Sequence, residues 1–134
     1  MKARLLVVAF AALTLPGAER AYAIVATNTI DRQATYTHGG VRVRASGPVA
    51  CTRGERISIR VTVSQAATAA RASERWERPC TGEVQHWHVR ARAHGGKRFE
   101  SGKAKVCAYA YTRAERWLTD EKRWCVHVSL SPRF

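Results

Sequence analysis

Apolar and polar residues alternate along most of this chain with a period of two. From Glu55 to Ser64, Ile57, Ile59, Val61 and Val63 fall on one side, and Arg56, Ser58, Arg60 and Thr62 on the other. That spacing predicts a strand with one buried face and one wet face. Val41 and Val43 alternate with Arg42 and Arg44 in the same way. Gly47-Pro48 then predicts a turn before Val49 to Thr52, with Arg53-Gly54 as a tight link into the next strand. From Glu83 to Ala93, Gln85, Trp87, Val89, Ala91 and Ala93 point inward, and His86, His88, Arg90 and Arg92 point outward. Trp87, the largest apolar body in the run, is the predicted centre of the core. After His94-Gly95-Gly96-Lys97, Phe99 approaches the core again. Ala104, Val106, Ala108 and Ala110 alternate with Lys105, Cys107, Tyr109 and Tyr111. Trp124, Val126, Val128 and Leu130 alternate with Cys125, His127 and Ser129.

The intervening segments are less regular. Ala66 to Arg78 reads as a short helix on propensity, or as a loop or irregular edge crossing, because it lacks a steady apolar stripe and ends at Pro79. Thr112 to Glu121 reads as the connection of a long hairpin, and Ile24 to Thr37 as a first, edge strand. Six or seven short strands with turn signals between them predict an all-β fold, an antiparallel immunoglobulin-like β-sandwich in one domain spanning residues 24–134.

Residues 1–23 have the pattern of a secretory signal peptide. Lys2 and Arg4 precede the apolar run Leu5 to Leu15, Pro16-Gly17 breaks it, and Ala21-Tyr22-Ala23 fits a cleavage site. The run is too short to span a bilayer, and no later transmembrane segment is predicted. The expected location is therefore secreted, extracellular or at the cell envelope. The four cysteines, Cys51, Cys80, Cys107 and Cys125, then imply two disulfides with three possible connectivities. Cys107 and Cys125 both lie opposite the aliphatic residues of their strands, so a hairpin would let them meet. Cys51 with Cys80 is the companion pair under that preferred arrangement.

Charge sharpens the functional reading. The whole chain carries 23 basic and 10 acidic residues, net +13. Without Lys2, Arg4, Arg20 and Glu19, 20 basic and 9 acidic residues leave net +11, and 16 of the 20 are arginine. Such an excess predicts attraction to polyanions, although arginines spread over solvent-facing strands also serve solubility alone.

Catalytic motifs are sparse. His86 and His88 share a strand face, as in some zinc sites, but Arg90 and Arg92 beside them would repel a cation, and His94 or His127 would have to join them. No metal or other cofactor is expected. His86, His88, His127 and Lys105 meet the compositional needs of a secreted hydrolase such as a histidine-dependent nuclease, without any spacing signature. No G-x-S-x-G elbow and no carboxylate pair point to another hydrolase. Tyr109 and Tyr111, with Lys105 on their face and Arg60 or Arg90 nearby, offer a weak stacking signal for single-stranded nucleic acid.

Several motifs carry a resemblance. These are Gly47-Pro48-Val49-Ala50-Cys51-Thr52-Arg53-Gly54-Glu55-Arg56-Ile57, the strand through Gln65, Cys80-Thr81-Gly82 with Gln85-x-Trp87, and Phe99-x-x-Gly102-x-Ala104. Across most of Val41 to Leu130 the chain resembles a group of small secreted, actinomycete-type bacterial proteins. The resemblance implies an immunoglobulin-like sandwich with two disulfides and transfers no active site. Enediyne-carrier apoproteins and subtilisin inhibitors are similar in size and disulfide number, but their cysteine spacing differs.

The sequence thus favours a secreted, monomeric or weakly associating protein that acts without catalysis. Its expected partners are anionic cell-envelope polymers, held by rows formed from Arg42, Arg44, Arg56, Arg60, Arg90 and Arg92. The alternative is the histidine-dependent hydrolase.

Overall fold

The computed structural model describes residues 24–25 and 29–133, with only the backbone course given for the first two. The leader pattern at residues 1–23 lies outside the described residues. Eight strands are present among them: β1 (Ile24–Val25), β2 (Gln33–Thr37), β3 (Arg42–Cys51), β4 (Arg56–Gln65), β5 (Ala70–Pro79), β6 (Val84–Arg92), β7 (Gly102–Ala114) and β8 (Trp117–Pro132). The fold is all-β.

Pairing follows the order β1-β3-β2-β8-β7-β4-β5, with β6 on the other edge of β3. β5 then swings back towards β6: Ala72 bridges Ala93, and the His94 N–H donates to the Arg71 carbonyl at 2.9 Å. The sheet therefore almost closes on itself around a single core. Trp87, Phe99, Ile57, Ile59 and Leu130 are its largest fully buried side chains. Period-two alternation survives closure because the inner side of every strand has the same core to fill.

Several expectations are corrected. The sheet is mixed, because β2 runs parallel to β8 from Gln33 opposite Ser129 to Tyr36 opposite Pro132. β2 is also an interior strand, with Thr35 to Thr37 paired antiparallel to β3. Gly47-Pro48 is no turn, since β3 continues through it with Gly47 opposite Trp87 and Pro48 opposite His86. Gly47 is small to admit the indole rather than to bend the chain. Ala66 to Arg78 is neither helix nor loop over most of its length. Ten consecutive pairs join β5 to β4, and Ala70, Ala72 and Trp76 are buried, so cross-strand packing overrides helix propensity. Thr112 to Glu121 is mostly strand as well, with Ala114 paired to Trp117 across a tip at Glu115-Arg116.

Both preferred disulfides are present. Cys51–Cys80 joins the end of β3 to the residue after β5, and Cys107–Cys125 crosses from β7 to β8 at directly opposed positions. Gly40 has φ +91°, and a Cβ there would lie 2.1 Å from the Phe99 carbonyl oxygen. The Phe99 N–H donates to the Gly40 carbonyl at 2.9 Å, which seats the phenyl ring in the core.

Candidate polyanion-binding faces

Four of the six predicted arginines meet on β3 and β6. Register places Arg42 opposite Arg92 and Arg44 opposite Arg90. Their neighbours Val43, Ala45, Val89 and Ala91 are buried, so the guanidinium stems leave the core on the outer side. Arg42, Arg90 and Arg92 are exposed and Arg44 is half-buried. None has a carboxylate in ion-pair contact among the described residues. Directly opposed like charges cost about 0.2–1 kcal/mol per pair, so this quartet is a local expense of the fold. An open depression of about 300 Å³ beside it is bordered by Arg44, His88, Arg90 and Arg133. The nearby Asp31 carboxylate is occupied, accepting from the Ser46 hydroxyl at 2.6 Å.

Arg56 and Arg60 lie elsewhere, on the outer side of β4. Arg56 is engaged with Glu77 at 3.1 Å. Arg60 stands between Arg75 on β5 and Tyr109 on β7, and Tyr109 in turn faces Arg123 on β8. One level of the sheet therefore reads Arg75, Arg60, Tyr109, Arg123. At neighbouring strand spacings of about 4.8 Å this row spans roughly 14 Å. It crosses an open depression of about 610 Å³ whose lining includes the Cys107–Cys125 disulfide and Thr62. The arginine rows expected from sequence thus lie on two separate faces.

Rings and cations on the second face interlock. The Arg123 guanidinium lies 4.5 Å from the Tyr109 ring centre, Tyr109 and Tyr111 are 5.9 Å apart, and Arg113 lies 5.1 Å from Tyr111. Arg75 donates through Nε to the Ser58 hydroxyl at 2.9 Å and through Nη2 to the Tyr111 hydroxyl. These contacts fix guanidinium planes that would otherwise be mobile. They also occupy ring surface that a nucleobase would need, which counts against the stacking reading.

The two phenols differ in acidity. A hydrogen bond from Tyr109 to Glu121, at 2.6 Å, holds its pKa above the usual tyrosine value, with desolvation adding to the effect. The Ser58 hydroxyl, and then the positive charge of Arg75, hold that of Tyr111 below it.

The histidines do not converge. His86 and His88 lie on β6 opposite Pro48 and Ser46, whereas His127 lies on β8 opposite Lys105. His88 and His127 border different depressions. Among the described residues no group of three or more His, Cys, Asp or Glu side chains is placed to hold a metal ion.

Sequence reasoning missed Arg75 and Arg123. Arg75 sits in the segment read as helix or loop. Arg123 was legible, since opposing Cys107 to Cys125 in an antiparallel hairpin also opposes Tyr109 to Arg123. No family model, no curated protein and no solved structure matches this chain.

Proposed function

We propose that this is a secreted binding protein without catalytic activity, holding flexible anionic polymers of the cell envelope against its arginine-bearing strand faces. One observation carries the reading: the quartet Arg42, Arg44, Arg90 and Arg92 is held in opposed pairs with no carboxylate partner among the described residues. A fold that bears this repulsion on one face gains from an anion laid along it. The occupied tyrosine rings favour a non-aromatic polyanion over single-stranded nucleic acid.

An immunoglobulin-like sandwich is our reading of the architecture. It is supported by β2 passing from β3 on one side to β8 on the other, with β3–β6 and β8–β7–β4–β5 forming two groups around a common core. Export is supported by the leader pattern and by two disulfides, which persist in oxidising compartments. No helix among the described residues is long and apolar enough to cross a membrane. The hydrolase alternative draws less support, because His86 and His88 lie on β6, which does not pair with β8, and only His127 and Lys105 of its four candidate residues stand opposite each other.

Chromatography of residues 24–134 on heparin and on phosphocellulose tests the reading. Binding to either matrix should weaken steeply with salt, because contacts to repeated charges release counterions. Arg42→Ala, Arg44→Ala, Arg90→Ala and Arg92→Ala together should lower the eluting salt concentration. Elution of the unmodified protein with a neutral control would overturn the proposal. Tighter binding of single-stranded DNA than of heparin at matched charge would replace it with a nucleic-acid function.

A further inference from the structure

Going round the nearly closed sheet, the strands run β6, β3, β2, β8, β7, β4, β5 and back to β6. The arginine quartet occupies the β6–β3 junction. Halfway round from that junction lies β7, whose outward Tyr109 is flanked by Arg60 on β4 and Arg123 on β8. The two cationic faces therefore look away from one another across the core. Trp87 and Val89 fill the inner side behind the first, and Val106 and Ala108 the inner side behind the second.

The second face is also undersupplied with anions. Glu77 pairs with Arg56, Glu121 accepts from the Tyr109 hydroxyl, and neither forms an ion pair with Arg60 or Arg123 among the described residues. Beyond the level of Thr62 and the Cys107–Cys125 bridge, Lys105 and, across β4, Arg71 add further positive charge, while the level on the other side carries Glu77 and Glu121. Stacking of Arg123 on Tyr109 orients its N–H edge before any ligand arrives, which reduces the ordering cost of binding.

We propose that the two faces bind separate polyanion chains at once, so that a single molecule cross-bridges anionic polymers. This rests on the polyanion reading above and adds to it a second site, with Arg60 and Arg123 as its anion-holding residues, and a bridging activity. A flexible chain cannot be gripped by both faces without wrapping around the domain. Short chains should therefore bind two to a protein, and long ones should become networked.

Sandwich capture tests this directly. Heparin is immobilised and saturated with protein, unbound protein is washed away, and fluorescent heparin oligosaccharide is then passed over the surface. The unmodified protein should capture the labelled chain. Arg60→Ala/Arg123→Ala, and separately the quartet alanine variant, should still load onto the surface but capture at least ten-fold less. Circular dichroism confirms that both variants are folded, which is expected because every substituted side chain lies outside the core. Loading without capture by the unmodified protein would overturn bridging and leave the binding function standing. Capture by either single-face variant at the unmodified level would also overturn bridging, since a dimer using one face twice gives that result. Failure to load at all would remove both proposals.

Discussion

Gly47 faces Trp87 across β3 and β6, and a Cβ on Gly47 would come within 2.8 Å of the indole Cζ2 and 2.5 Å of the Thr29 carbonyl oxygen. The indole is fully buried, so it has little room to retreat. Gly47→Ala should therefore destabilise the protein by about 1–3 kcal/mol, the usual cost of overpacking a core. Thermal unfolding checks this. An unchanged melting temperature would mean that β3 yields at Gly47 and that the close approach is not needed.

Tyr109 and Tyr111 are neighbours on one face whose acidities are driven apart. The usual tyrosine pKa is about 10. Folded Tyr111 releases its proton below that value, so it adds stability as pH rises from its folded pKa towards 10 and adds none at neutral pH. Folded Tyr109 retains its proton above that value, so stability falls as pH rises beyond 10 through its folded pKa. Ultraviolet titration of phenolate should show Tyr111 ionising first. Tyr111→Phe should remove the early step, Ser58→Ala should move it upward, and Glu121→Gln should bring the late step down. One unresolved transition, unaltered by Ser58→Ala, would contradict the assignment.

Arg44 and Arg90 oppose each other as like charges, so reversing one should stabilise the fold. Arg90→Glu converts repulsion to attraction and should gain about 1 kcal/mol or less, raising the melting temperature by one to a few degrees at low salt. The gain should shrink as salt screens the pair. The same variant should elute earlier from heparin. Stabilisation accompanied by weaker binding is the pattern of a site retained for function. A lower melting temperature at low salt would show that the repulsion is relieved in some other way.

Gln65 ties the segment before β7 to the end of β4. Its Nε2 donates to the Glu100 carbonyl at 2.9 Å and the Lys103 carbonyl at 3.4 Å, and its Oε1 accepts from the Glu100 N–H at 2.9 Å and from Thr68 Oγ1 at 3.0 Å. The side chain is buried, so those backbone groups have poor access to replacement water. Gln65→Met keeps the volume and should still cost about 2–4 kcal/mol, as unpaired polar groups are left behind. Urea unfolding with an unchanged midpoint would refute it.

Where the sequence was legible, burial made it so. Alternation at Ile57 to Val63 and at Trp87 to Ala91 identified the inner faces, because one side of each strand must meet the core. The position of Cys107 and Cys125 opposite their aliphatic neighbours anticipated their bridge. The arginines were found individually, but their division into two faces depends on strand order, which alternation does not encode. β5 was missed because Ala and Arg favour helices locally, while ten pairs with β4 and the Ala72–Ala93 bridge decide otherwise. Gly47-Pro48 misled for a similar reason: its turn chemistry is overruled by the need to clear an indole that comes from a distant strand.

The two disulfides should differ in how they respond to reductant. Cys51 and Cys80 are 1% and 5% exposed, whereas Cys107 is half-buried and Cys125 is exposed beside the depression lined by Arg60 and Arg123. Nearby positive charge favours thiolate, which makes an accessible cysteine the more reactive one. Their separations of 29 and 18 residues give loop-entropy contributions of about 3–4 kcal/mol each in the chain-entropy account. Dilute dithiothreitol without denaturant should therefore open Cys107–Cys125 first, leaving β7 and β8 joined by their backbone ladder and the far-ultraviolet dichroism unchanged. Cys51–Cys80 should yield only when denaturant opens the core. Alkylation followed by peptide mass mapping reads the order, and labelling of Cys51 or Cys80 before Cys125 would contradict it.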